Sequence, residues 1–391
     1  MTGRDVDQHE RAATPLELLF DLAFVVAVAQ LAASLAHDVA DGHVAHGAGS
    51  YAMVFFSIWW AWMNFTWFAS AYDTDDVPYR LLALLQMAGV LVLAAGVPAA
   101  FDDGDFAAVT AGYVLMRLAM VAQWLRAARE DPAHRAVALR YALGTAVVQV
   151  AWVALLAVSP EVRVVPFVVL ALADVAVPVW AERHGVTTWH AGHIAERYGL
   201  FTLLVLGECV LAASTALQPA IAEGWGADPV LVGAGSLALV FSLWWLYFRR
   251  PIGPALAGHR ELAFLWGYGH YALFAALAAV GAGLEVAAES LAHPVEAPDA
   301  VVGLAVAVPT AVVLVLVWAL HAPLGAAPVR RLAAVAVAVV AVLVLGASAG
   351  SLLPVPWAVV AVAVAPAALV ALSVLSSDPA PERVRAAPHP R

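Results

Sequence analysis

Twelve runs of about 20 mostly apolar residues, each long enough to cross the hydrocarbon core of a bilayer, occur along the 391 residues of the chain. They lie near 16–36, 50–71, 79–99, 105–126, 137–158, 162–181, 196–217, 230–248, 261–283, 301–321, 330–349 and 354–375, separated by charged or Gly/Pro-marked breaks. Composition agrees with that pattern, since 63% of the residues are apolar and 12% charged, whereas a soluble protein carries about twice that charged fraction. A water-soluble fold, a nucleic-acid-binding protein and a disordered chain are excluded together. The predicted fold class is all-α: a polytopic membrane helix bundle of about twelve transmembrane helices, with the lipid bilayer as its first partner. The first run is not a signal peptide, because a polar, mixed-charge stretch of fifteen residues precedes it and Asp21 interrupts its apolar core.

Arginine predicts the orientation. All nineteen basic residues are arginine. Arg4 and Arg11 precede the first run. Arg80, Arg126, Arg129, Arg135, Arg140, Arg183, Arg197, Arg249, Arg250, Arg260, Arg330 and Arg331 fall on the even-numbered connections or the helix ends beside them. The odd-numbered connections hold only Arg163 and collect Asp38, Asp41, Asp102, Asp103, Asp105, Glu161, Glu223 and Asp228. Positive charge favours the cytoplasmic side, so both termini are expected in the cytoplasm. The last sixteen residues, from Ser376, are Pro- and Arg-rich and read as a disordered cytoplasmic tail.

An internal repeat is also expected. Residues 56–60 are Phe-Ser-Ile-Trp-Trp and residues 241–245 Phe-Ser-Leu-Trp-Trp, each in the second helix of a six-helix set. Glu10-Arg11 precedes Asp21 much as Glu196-Arg197 precedes Glu208, and Arg80-Leu-Leu-Ala-Leu-Leu corresponds to Arg260-Glu-Leu-Ala-Phe-Leu. The expected organisation is an N-terminal tail over 1–15, six-helix repeats over 16–181 and 182–375, and the tail over 376–391. Two even-numbered repeats share one orientation, as in one large class of secondary transporters.

Ionisable residues inside these runs each need a reason, because a charge at mid-bilayer costs about 2.5–3.5 kcal/mol on insertion scales. Glu17 has a local one: Thr14-Pro15-Leu16-Glu17 is a capping box, which returns Glu17 to the helix start rather than into the bundle. Asp21, one turn further on the same face, has no such reason. Glu208 occupies the matching place in the second repeat, Arg117 interrupts the fourth helix and Asp174 the sixth. All four are predicted at similar depth, roughly 9–18 Å from the cytoplasmic ends, where they can meet in one net acidic layer. Arg117 would pair with one or two carboxylates, leaving another for a cation or a proton. The alternative is that these charges only hold helices together.

Weaker signals add little chemistry. His37, Asp38, Asp41, His43 and His46 form an outer His/Asp cluster that loop polarity explains as well as metal binding does. His190, His193 and Glu196 approach the seventh helix at a spacing that suits packing and capping. Asp75 or Asp76 is placed to cap the third helix, with Pro78 in its first turn. Trp59, Trp60, Trp62, Trp67, Trp244 and Trp245 are too many for interfacial belts alone. Cys209 has no activating histidine in sequence, and no phosphate loop, nucleophile elbow or His-Glu-x-x-His motif occurs. No enzyme activity, catalytic residue, metal or cofactor is expected.

Four segments resemble a known family: Glu17-Leu-Leu-Phe-Asp21-Leu-Ala-Phe-Val-Val-Ala, Trp59-Trp-Ala-Trp-Met-Asn64-Phe-Thr-Trp-Phe, Tyr72-Asp-Thr-Asp-Asp-Val-Pro-Tyr-Arg80 and Glu196-Arg-Tyr-Gly-Leu-Phe-Thr-Leu-Leu-Val-Leu-Gly-Glu208. The chain is similar over roughly residues 10–350 to the bacterial low temperature requirement A (LtrA) family. That resemblance implies a multi-pass inner-membrane protein and no particular reaction. Glu17, Asp21, Asn64, Asp73, Asp75, Asp76, Arg80, Glu196, Arg197 and Glu208 match its signature segments, without a catalytic role attached. The expectation is a cation- or proton-linked transporter or channel-like protein with Asp21, Glu208, Arg117 and Asp174 as its polar centre, supported by Glu17, Asn64, Arg80, Glu196 and Arg197. A membrane scaffold or cold-growth factor with purely structural charges is the other reading.

Overall fold

The computed structural model describes residues 1, 3, 11–223, 226–325 and 332–375. The tail from Ser376 and the topology markers Arg4, Arg330 and Arg331 lie outside the described residues, as do the side chains of Glu161 and Glu223. The described chain is all-α: α1 (Pro15–Ala40), α2 (Val44–Tyr72), α3 (Val77–Ala95), α4 (Val97–Asp102), α5 (Ala107–Glu130), α6 (Arg135–Leu155), α7 (Val164–Ala181), α8 (Ala191–Glu223), α9 (Ala227–Phe248), α10 (Gly253–Gly258), α11 (Ala263–Ala292), α12 (Asp299–His321), α13 (Leu332–Ala347) and α14 (Val355–Leu375). Among the described residues, ten helices are long and apolar enough to cross a membrane. The other two expected spans coincide with α2, whose many Trp, Tyr, Ser and Asn residues lower its hydropathy, and with α13, shorter than the rest.

Local chemistry sets the helix starts. Thr14 caps α1, with both halves of the capping box formed and Pro15 in the first turn. Asp76 caps α3 by accepting from the Tyr79 N–H at 3.0 Å, with Pro78 in that turn. His190 stands ahead of α8, where its Nδ1 accepts from the His193 N–H at 3.1 Å.

Each span then divides into two faces. On α1, Leu18, Leu22 and Val26 are exposed while Glu17, Asp21, Phe24 and Val28 are buried. In a bilayer the exposed apolar face is solvated by lipid, so the usual signature of a soluble core is inverted here for the polar residues. Close approach between helices relies on small residues: a Cβ added at Gly112 of α5 would collide with the Gly89 carbonyl of α3.

Helix α2 runs through the middle, touching α1, α5, α8 and α11. Trp59, Trp60 and Trp62 are all within 2% of full burial. Aromatic contacts surround them, including Trp62 with Phe201 at 4.3 Å and Trp59 with Tyr271 at 5.2 Å. Helices α1 and α8 also touch, and the most heavily charged part of the interior lies where they do.

Candidate functional site: a buried charge network between α1 and α8

Glu17 and Asp21 stand one turn apart on α1, and His193 and Arg197 one turn apart on α8, so two helical faces present two polar groups each. The capping reading of Glu17 is correct and incomplete. One carboxylate oxygen, Oε2, accepts from the Thr14 N–H at 2.8 Å, while Oε1 lies 3.0 Å from Arg197 Nη1 and 3.0 Å from His193 Nε2. Asp21 Oδ1 accepts from Arg197 Nη2 at 2.6 Å and from the Trp62 indole at 2.7 Å, and Oδ2 accepts from Arg197 Nε at 3.1 Å. Glu17, Asp21, His193 and Arg197 are each fully buried. Two carboxylates thus face one guanidinium, with the His193 imidazole beside Glu17.

This network corrects the expected partnership. Arg197 counted in the sequence as a marker of the cytoplasmic side and as a supporting residue rather than the partner of Asp21, and His193 as packing and capping. The reason is length: α8 begins at Ala191 rather than near residue 196, which places Arg197 in its second turn instead of at its end. Nearer the helix ends, Arg11 donates to the carbonyls of Ser70 and Ala69 and lies 3.7 Å from Asp73.

Arg117 and Asp174 form a separate pair rather than joining Asp21 in one layer. Arg117 Nη2 donates to Asp174 Oδ1 at 3.3 Å, and Asp174 Oδ2 accepts from the Tyr113 hydroxyl and the Trp152 indole, both at 2.8 Å. The Arg117 guanidinium also sits 5.6 Å from the Tyr113 ring centre. Four groups from α5, α6 and α7 therefore close on each other at the packed core of the first half. Tyr113 and Trp152 carry no charge signal in sequence, which is why they were not foreseen.

Glu208 stands apart. It is partly buried, no hydrogen bond or ion pair joins it to Asp21 among the described residues, and the charged group acting on it is Glu285 of α11. Its neighbour Cys209 is buried against α11, with Sγ 3.4 Å from the Leu277 carbonyl, a packing position rather than a reactive one.

The supporting residues divide as well. Asn64 donates to the Trp60 carbonyl at 2.8 Å and lines a cavity of about 20 Å³ together with Trp67, Tyr141 and Glu182. Burial pushes the Glu182 carboxyl up, against hydrogen bonds from Thr187 at 2.7 Å and Tyr141 at 3.0 Å that pull it down. Glu196 is exposed. Arg80 forks onto Asp75 at 2.8 and 2.7 Å, and these bonds hold the Asp75 carboxyl below the usual range. Asp76 is held at about 2, chiefly by hydrogen bonds from Arg126. In the His37–His46 cluster His46 pairs with Asp38 at 2.9 Å and His37 with Asp41 at 3.6 Å, and no group of three or more metal-ligating side chains converges among the described residues.

Residues 12–368 match the family described as bacterial low temperature requirement A protein. The chain belongs to the LtrA family. The match takes in both the α1–α8 network and the Arg117–Asp174 pair, so it covers nearly all of this multi-pass membrane bundle. A curated relative, the uncharacterized protein RA0937 of Rhizobium meliloti (strain 1021), is 28% identical over 294 residues, covering 71% of this chain and 69% of that protein. No solved structure matches this LtrA-family chain.

Proposed function

We propose that this LtrA-family protein is a cation- or proton-linked transporter or channel-like protein of the inner membrane, with both termini in the cytoplasm. The observation that carries the reading is the α1–α8 network: four ionisable groups, two from the first helix of each expected half, buried against one another. Burying charges is costly, and apolar packing of similar volume often gives equal or better stability. A charged contact between halves has one property that apolar packing lacks, since its strength changes when a carboxylate or His193 gains a proton or when an ion replaces a partner. In this proposal the network closes the path, and Glu208 with Glu285 offers carboxylates to the travelling cation or proton.

The duplication belongs to the same proposal. Its support is the order of neighbours: α1 packs on α2 and α3, α3 on α5, α5 on α6 and α6 on α7, while α8 packs on α9 and α11, α11 on α12, α12 on α13 and α13 on α14. A second reading, a membrane scaffold or stress-adaptation factor, is favoured by the full pairing of Asp21, which leaves that carboxylate little capacity for a travelling ion.

Reconstitution into liposomes with a screen of proton, monovalent and divalent cation flux separates the two. Transport requires flux that Glu208→Gln abolishes in a protein that still folds, and that Asp21→Asn alters. Absence of flux for every cation, or flux indifferent to both substitutions, would leave the scaffold.

A further inference from the structure

Helices α9 and α14 pack closely, with Gly235 of α9 fitted so that a Cβ there would lie 3.1 Å from the Val360 backbone nitrogen. Helices α2 and α7 do not meet in that way. Between them lies a groove of about 450 Å³, walled by a stripe of α2 that includes Met53, Phe56 and Trp59 and by a stripe of α7 from Val164 to Val175, with Tyr268 and Tyr271 of α11 behind. It is a braced groove rather than loose packing: the Tyr271 hydroxyl donates to the Ala52 carbonyl of α2 at 2.9 Å, and the Tyr268 hydroxyl lies 3.4 Å from the Val175 carbonyl of α7.

Its length and its rim point to an occupant. From Val164 to Val175 the α7 wall is roughly 17 Å long at 1.5 Å per residue, close to one leaflet's share of a hydrocarbon core about 30 Å thick. At the end where α7 begins stands Arg163, which lines an adjoining small cavity that shares Phe167 with the groove. Its Nη1 donates to the Gly104 carbonyl at 2.6 Å and Nη2 to the Val158 carbonyl at 3.2 Å; both partners are backbone rather than carboxylate, and the buried Nε has no partner among the described residues. The bond to Gly104 also brings the exposed acids Asp102, Asp103 and Asp105 to the same rim. One guanidinium beside several carboxylates complements a headgroup that carries both signs.

We propose that the α2–α7 groove binds a zwitterionic phospholipid with a primary ammonium headgroup, one acyl chain along the groove, the phosphate at Arg163 and the ammonium at the Asp102–Asp105 loop. The rim acids disfavour an anionic lipid, and a quaternary ammonium has no N–H to donate to them.

Trp59 in the wall makes this testable, because brominated acyl chains quench tryptophan on contact. The full chain in lipid nanodiscs is titrated with brominated phosphatidylethanolamine, phosphatidylcholine or phosphatidylglycerol, and subtraction of Trp59→Phe isolates the Trp59 signal. Half-quenching is expected at a several-fold lower fraction of the ethanolamine lipid than of the other two. Arg163→Gln should remove that preference and Arg163→Lys should keep it. The Asp102→Asn/Asp103→Asn pair should raise phosphatidylglycerol to the level of the ethanolamine lipid, and Ala171→Phe, on the groove wall, should abolish quenching by all three. Equal quenching by all three lipids in the native protein, a preference that survives Arg163→Gln, or quenching that survives Ala171→Phe would overturn the proposal.

Discussion

The same five-residue pattern has opposite surroundings in the two halves. In α2, Phe56 is 6% exposed, Trp59 2% and Trp60 0%, whereas in α9 Phe241 is 61% exposed, Trp244 42% and Trp245 46%. The acids one helix earlier in each half differ in parallel: Asp21 is sealed by Arg197 and Trp62, while Glu208 is partly exposed with Glu285 as its charged neighbour. In water such a difference would be forced by hydrophobicity. In lipid an exposed tryptophan and a buried one are both well solvated by their surroundings, so the pattern does not choose between them; the choice comes from helix packing. Helix α2 packs against α1, α5, α8 and α11, and α9 against α8 and α14 with lighter contacts to α11 and α12; the difference is that the Phe241–Trp245 face of α9 is the one its neighbours leave uncovered.

The sharpest break in this contrast is Arg197→Met. It leaves Glu17 and Asp21 buried without their cation and is expected to cost about 3–5 kcal/mol, measured as unfolding in detergent. Adding Glu17→Gln and Asp21→Asn to it should recover part of the loss, because the uncompensated charges go with the partner. Next comes the aromatic pair. Trp60→Ala opens a cavity in the centre and should cost about 3 kcal/mol, whereas Trp245→Ala, facing lipid, should stay within about 1 kcal/mol; equal losses would mean that the two tryptophans share one environment after all. Glu208→Gln should move stability by no more than about 0.5 kcal/mol, the smallest of these substitution effects.

Two groups outside the spans give pH dependences of opposite sign. Burial raises the Glu182 carboxyl, so its contribution is complete below the ordinary glutamate range and is lost as pH rises through the raised value. Glu182→Gln should therefore raise the melting temperature at neutral pH and have little effect in acid; destabilisation at neutral pH would mean that the bonds from Thr187 and Tyr141 outweigh burial. Asp76, held at about 2 by Arg126, contributes above the ordinary aspartate range near 3.9 and loses that contribution as pH falls toward 2. With both partners partly exposed, Asp76→Asn should remove only a small acid-labile increment, read from melting curves between pH 5 and pH 2.

Some of the candidate site was legible without coordinates because it rests on local geometry. The Thr14–Glu17 box, the Asp76 cap and the presence of His190 before α8 all follow from positions within one turn of each other. Asp21, Arg117 and Asp174 stood out because charge is rare inside apolar runs. Their partners were not legible. Arg197 looked like an end-of-helix arginine because α8 starts five residues earlier than the apolar run does, and Tyr113, Trp152 and Trp62 look in sequence like any other aromatics of a membrane helix.

What the sequence by itself determined is the kind of molecule: an apolar content that only a bilayer accommodates, helices in the expected order, and the few residues that lipid would not tolerate unpaired. Those properties depend on transfer from water to hydrocarbon, which acts on each segment separately. Tertiary structure alone decided that Asp21 belongs to Arg197 and Arg117 to Asp174, that Glu208 stands apart from both, and that α2 is enclosed while α9 faces lipid. Pairing depends on distances of about 3 Å between residues far apart in the chain, and within a bilayer, where every apolar surface is equally welcome, only the packing of whole helices sets those distances.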